Sequence, residues 1–137
     1  MRVRVILRVL TIAALATTGR ADESTGERPR LEATSFPRVV VAPSSVIVTA
    51  KLVGGQDLED YYCPEVEWEW TEGDRSSRLS DCEPYEPGDG ILRVFTARHR
   101  FLEPGHFNIT IRLRRDSRVV ASASVSVDVH ERVIDSR

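Results

Sequence analysis

Apolar and polar residues alternate with period two along most of this chain, and that alternation constrains its fold more than any other feature. Val46, Val48, Ala50 and Leu52 alternate with Ile47, Thr49 and Lys51, and Val66, Trp68 and Trp70 alternate with Glu65, Glu67 and Glu69. Phe107, Ile109, Ile111 and Leu113 alternate with His106, Asn108, Thr110 and Arg112. Val119, Ala121, Ala123, Val125, Val127 and Val129 are set against Ser122, Ser124, Ser126 and Asp128, with Arg115-Asp116-Ser117 as the tight connection before them. Successive side chains leave a strand on opposite faces, so each run predicts a strand with one buried and one wet face. Ile91 to Phe101 is apolar at both odd and even positions and reads as a strand with a bulge or a sheet switch, and Val39 to Ala42 adds a short strand at the front. About six or seven strands over residues 38–130, with no amphipathic helix, predict an antiparallel β-sandwich.

The ends of the chain read differently. Arg2, Arg4 and Arg8 precede the uncharged, mainly apolar stretch Val9 to Ala16, and Gly19-Arg20-Ala21 places small residues where a signal peptidase needs them. Residues 1–21 are therefore expected to be a secretory signal peptide, because the apolar run is far shorter than the roughly 20 residues that span a bilayer. Residues 22–37, with two prolines and no apolar periodicity, read as a flexible lead, and 131–137 as a polar tail. The expected product is secreted or periplasmic and free of the membrane once the signal is removed.

Of 137 residues, 19 are basic and 21 acidic; removing the first 21 leaves 15 basic against 21 acidic. A net-negative chain is not a general nucleic-acid binder, whose affinity comes from clustered Lys and Arg. Cys63 and Cys82 are the only cysteines. In an exported chain they are expected to pair, which in the chain-entropy picture contributes about 3 kcal/mol.

Two stretches carry a family resemblance. His99-Arg-Phe101-Leu-Glu-Pro104-Gly105-His-Phe107-Asn-Ile109-Thr-Ile111-Arg-Leu113 matches in spacing the H-x-Y/F, P-G-x-Y/F-x-V-x-L pattern of the PKD (polycystic kidney disease) domain family. Trp68-Glu-Trp70-Thr-Glu-Gly73-Asp74-Arg75-Ser76 resembles that family's W-D-F-G-D-G turn, with one extra residue and with Arg75 where a second glycine is usual. The resemblance covers about 90 residues and implies an immunoglobulin-like sandwich of about seven strands that serves as a spacer or as a module binding proteins or carbohydrates. It also implies that Pro104-Gly105 forms a turn in which Gly takes positive φ, that Trp68 or Trp70 packs between the sheets, and that His99 is a structural residue at a strand edge.

No catalytic pattern is present. His99, His106 and His130 fit no metal-ligand spacing, and Ser76, Ser77 and Ser80 lack the context of a nucleophile elbow, so the chain is expected not to be an enzyme and to need no cofactor. Charge, by contrast, is strongly patterned. Residues 57–89 hold twelve acidic side chains against Arg75 and Arg78, while 90–118 hold seven arginines against Glu103 and Asp116. The acidic row Glu65, Glu67 and Glu69, with Asp57, Glu59 and Asp60 beside it, is the candidate partner or cation surface. Arginines on the neighbouring strand, Arg112 and Arg114, would make the row structural; without them it is open to a basic partner or to Ca²⁺, which takes clustered oxygens. A second reading is therefore a small Ca-dependent or carbohydrate-binding effector, built from the acidic 57–89 segment with Tyr61, Tyr62 and Tyr85 on one rim; no EF-hand-like loop supports it. Mass spectrometry of exported protein is expected to find a chain beginning at Asp22, and recovery of an intact Met1 start from membranes would refute the signal peptide.

Overall fold

The computed structural model describes residues 27–135, so the expected signal peptide lies outside the described residues. Eight strands form two sheets: β1 (Arg30–Phe36), β2 (Val39–Val41), β3 (Ser44–Val53), β4 (Glu65–Thr71), β5 (Asp74–Arg78), β6 (Val94–Phe101), β7 (Gly105–Arg115) and β8 (Arg118–His130). One sheet has the order β1-β3-β6 and the other β2-β8-β7-β4-β5. With β1, β3 and β6 as strands A, B and E, and β4, β7 and β8 as C, F and G, this is an immunoglobulin-like sandwich that has a C′ strand but no strand D among the described residues.

The alternation places the core where the sequence puts it. Val46, Val48, Ala50 and Leu52 from β3 meet Ile109, Ile111 and Leu113 from β7, Val125, Val127 and Val129 from β8, and Trp68 and Trp70 from β4, all buried between the sheets. Phe107, expected in this set, is half-buried and packs against it. At the β7–β8 turn, Asp116 and Ser117 both have positive φ, the geometry of a two-residue hairpin whose twist suits the flanking strands.

Several expectations need correction. The 22–37 lead contains β1, which pairs along its own whole length with β3, from Arg30↔Val53 to Phe36↔Ile47; its inward residues, Leu31, Ala33 and Ser35, are mostly small, so the alternation was faint. Residues 38–130 hold seven strands, within the expected six or seven, and β1 brings the total among the described residues to eight; β5 (Asp-Arg-Ser-Ser-Arg) holds no apolar residue and forms only as the return arm of a hairpin, so it left no strand pattern in the sequence. The sandwich is not wholly antiparallel: β2 runs parallel to β8. A register shift between Leu113 and Arg114 puts Val119 opposite Arg114, on the outer face, so Val119 is exposed rather than core. Gly105 does not take positive φ; it opens β7, where an added Cβ would lie 3.1 Å from the Phe107 ring, so the glycine makes room for the aromatic side chain. Positive φ is found at Gly73 instead, in the β4–β5 turn.

A 3-10 turn at Glu59–Tyr61 leads into β4, and Cys63 is joined to Cys82 across 19 positions. The bond anchors the irregular segment 79–93, which runs from β5 in one sheet to β6 in the other. Cys82→Ser is expected to lower unfolding free energy by about 2–5 kcal/mol in urea denaturation; a change under about 0.5 kcal/mol would show that the segment is held without the bond.

Candidate functional site

The acidic row lies on the outer face of the five-stranded sheet, as the alternation of β4 requires. Its neighbours are arginines. Glu67 stands in register with Arg112, and Glu65 with Arg114, on β7, while Glu69 faces Arg75 on β5. Arg112 donates to Glu67 at 3.1 Å and to Glu69 at 2.7 Å, Arg114 pairs with Glu67 at 3.2 Å, and Arg75 with Glu69 at 3.2 Å. Burial by itself would raise the Glu67 pKa, but hydrogen bonds and charge from Arg114 and Arg112 outweigh it and hold the carboxyl below its ordinary range. Arg112 is correspondingly held further into its charged form, first by the Glu69 hydrogen bond. Glu65 makes no ion pair among the described residues.

The loop carboxylates are engaged as well, each in a different place. Asp57 pairs with Arg93 at 2.7 Å, Asp60 with Arg118 at 3.1 Å and Arg28 at 3.5 Å, and Glu59 with Arg115 at 3.9 Å. Among the described residues, no three His, Cys, Asp or Glu side chains converge in a way that could hold a metal ion. The tyrosines do not share a rim either. Tyr61, expected to be exposed, is buried because the 3-10 turn directs it inward, where its hydroxyl donates to the Val120 carbonyl. Tyr62 and Tyr85 meet edge to face, and Arg115 lies over the Tyr62 ring.

A concavity lies elsewhere. β5 and β6 are the free edges of their sheets and border the same side of the sandwich, where no strand bridges them. Between them is a cleft of about 570 Å³, a size that suits a small ligand or a few peptide side chains. Its floor is Val66, Trp68 and Phe95; Ser76 and Ala97 stand on its walls, and the disulfide and Leu92 close one end. Trp70 Nε1–H donates to the Ser76 hydroxyl at 2.9 Å, which explains why β5 can present a polar inner face beside an indole. Sequence reasoning missed this site because its walls depend on the order of strands; the one local signal was the absence of a strand pattern between Arg78 and Ile91.

A row of stacked rings forms the opposite end of the cleft and crosses between the sheets. Trp68 stacks on Trp70, Trp70 on His99 at 4.6 Å, His99 meets Phe101 edge-on, and Phe101 stacks on Phe107. Trp68, Trp70, Phe101 and Phe107 thus have structural positions between the sheets. His99 does too: it sits on an edge strand with its ring turned inward, and its Nε2 lies 3.6 Å from Asp74. Gly73 forms the turn that brings Asp74 there, while Pro104 and Gly105 are exposed at the start of β7.

A scan of protein-family models and a search of curated proteins found no match to the chain. Among solved structures, it is similar to the CARDB domain of a Pyrococcus furiosus protein. The crystal structure of that domain, in complex with di-metal ions, is 16% identical, with a TM-score of 0.44 over 77% of this chain and 97% of the domain. Its solution NMR structure gives 17% identity and a TM-score of 0.47, over 76% and 97%.

Burial lowers the His99 pKa, partly opposed by the charge of Asp74. Below the ordinary value of about 6.5 the unfolded chain then binds the proton more readily than the native one. Stability from this group is complete above pH 6.5 and is lost as pH falls towards the native pKa. His99→Phe, which keeps an aromatic ring in the stack, is expected to remove that loss. Urea midpoints at pH 5 to 8 measure it, a range above the titration of Glu67; identical pH profiles for the two proteins would refute the role.

Proposed function

We propose that the chain is an exported, non-catalytic, PKD-like module that binds a protein or carbohydrate, and that the cleft between β5 and β6 is its binding surface. The observation that carries this reading is the contrast between the two candidate surfaces. Most of the carboxylates that the sequence singles out are neutralised by arginines of the same domain, whereas the cleft combines an apolar floor with hydroxyl-lined walls at a place where both sheets end. Concave, mainly apolar sites with a few polar groups are the usual form of a binding site.

The chemistry of the nearby side chains supports binding over catalysis. His99 is wedged between Trp70 and Phe101, and the Ser76 hydroxyl is engaged by Trp70. The resemblance of residues 99–113 to the PKD pattern agrees with a module of this kind. The Cys63–Cys82 bond fits an oxidising compartment, and no helix among the described residues is long and apolar enough to cross a membrane.

Two measurements test the reading. Peptide and glycan arrays probed with the mature chain are expected to yield ligands whose binding is lost in two variants that fill the cleft, Ala97→Phe on its wall and Ser80→Trp at its mouth. Binding that survives both substitutions in folded protein would overturn the assignment. Millimolar Ca²⁺, compared with chelator, is expected to leave the thermal midpoint unchanged, since a ligand specific for the native state must raise it. A rise that Glu67→Gln abolishes would instead support the calcium-dependent effector.

A further inference from the structure

We infer that the cleft takes an extended peptide segment of alternating apolar and acidic residues, which adds to the free edge of β6 as the missing fourth strand of the β1-β3-β6 sheet. The inference rests on the binding-module reading and names the ligand for it.

Four observations converge on this occupant. First, among the described residues β6 pairs only with β3, so its other edge offers a row of backbone groups unpaired by any described strand over eight residues. Immunoglobulin-like sheets with the order ABED fill this position with strand D; here the connection from β5 to β6, residues 79–93, passes it without forming a strand. A free edge of this kind is the template for strand addition, in which main-chain hydrogen bonds give affinity and pockets for alternate side chains give specificity.

Second, a strand laid along β6 would direct every other side chain inward, into the cleft beside Phe95 and Ala97, where the floor of Val66 and Trp68 calls for apolar groups. Third, its remaining side chains would lie on the outer face, beside the exposed residues Thr96, Arg98 and Arg100. Neither arginine makes an ion pair among the described residues, and their partners across β3 are uncharged: Ile47 opposite Arg98 and Ser45 opposite Arg100. Most arginines on the β4, β5, β7 and β8 side of the domain have a carboxylate partner, so these two stand out as cations with an open side. Acidic side chains on the incoming strand would complete the cross-strand pairs.

Fourth, the same charges disfavour a second copy of this chain as the occupant. Two β6 edges pairing with each other would bring the arginine-rich surfaces together, and like charges directly opposite are destabilising.

The probe is a nine-residue, end-capped peptide alternating valine or phenylalanine with glutamate, with two controls: a twin carrying lysine for glutamate, and a twin N-methylated at alternate amides so that one edge cannot pair. Both tryptophans of the chain border the cleft, so their emission reports occupancy. The acidic probe is expected to bind, to shift that emission and to slow hydrogen exchange of amides in Val94–Arg100. Arg98→Glu and Arg100→Glu, both on the exposed face, are each expected to weaken it by tenfold or more and to favour the lysine twin.

Equal binding of the acidic and lysine probes, or undiminished binding of the N-methylated twin, would overturn the inference, as would exchange protection caused by self-association in the absence of peptide. An oligosaccharide that shifts the tryptophan emission when the acidic probe does not would also overturn it, while leaving the binding-module reading intact. If neither ligand class binds wild type and nothing is lost in the filled-cleft variants, both fall.

Discussion

The contact on which the arrangement at the open side of the sandwich depends is the stacking of Trp70 on His99. Each belongs to a different sheet, and each strand lies at or next to a sheet edge, where few other side chains hold the layers together. Aromatic pairs bury large areas and prefer specific ring geometries, so the stack fixes both the separation and the register of the two edges. The row continues to Trp68 on one side and to Phe101 and Phe107 on the other. One side of the sandwich is therefore closed by rings at one end and left open beyond Trp68. The cleft is the consequence: the sheets are pinned at His99 and no strand fills the space towards Val94.

The same geometry explains how an acidic chain tolerates its charge pattern. The acidic segment and the arginine-rich segment are far apart in sequence, but β4 and β7 are neighbours, so Glu67 and Glu69 meet Arg112 and Arg114 on one face. Exposed ion pairs contribute little individually, about 0.2–1 kcal/mol. Their value here is mutual, because one arginine bridges two carboxylates that would otherwise repel each other across two positions of a single strand. The arginines of β6 have no such neighbours, because β3 offers Ser45 and Ile47 at those registers. Opposite roles for the same residue type thus follow from strand order alone.

How much of this could be read from the sequence depended on how many apolar residues each strand contributes. β3, β4, β7 and β8 carry three or more large apolar side chains on their inner faces, and their alternation was legible. β1 turns Ala33 and Ser35 inward beside Leu31, which leaves no contrast with Glu32 and Thr34, and β5 has no apolar residue at all. Both are edge strands, held by backbone pairing to a stronger neighbour, and pairing leaves no mark on composition. The motif from His99 to Leu113 gave the two strands, but its glycine does not make the expected positive-φ turn: Gly105 opens β7 and leaves room for the Phe107 ring two residues on. The acidic row was legible as a row, and its arginine partners were named as the condition that would make it structural. The cleft was not legible, because it is made by two strands that end their sheets on the same side.

A cleft of this kind persists only if the chain that passes it is kept from collapsing into it. Residues 79–93 could in principle pair with β6 and close the edge, as a strand D would. The segment is instead tied down at both ends: Cys82 is bonded to Cys63 at the start of β4, and Arg93 donates to the Gly54 carbonyl and pairs with Asp57. Pro84 and Pro87 lack the amide hydrogens that a ladder needs, and Gly88 has positive φ in the turn that follows. Tyr62 Oη–H donates to the Glu83 carbonyl, a further tie next to the disulfide. The sequence between β5 and β6 therefore forms no strand, and its anchors, the disulfide foremost, keep the edge of β6 accessible.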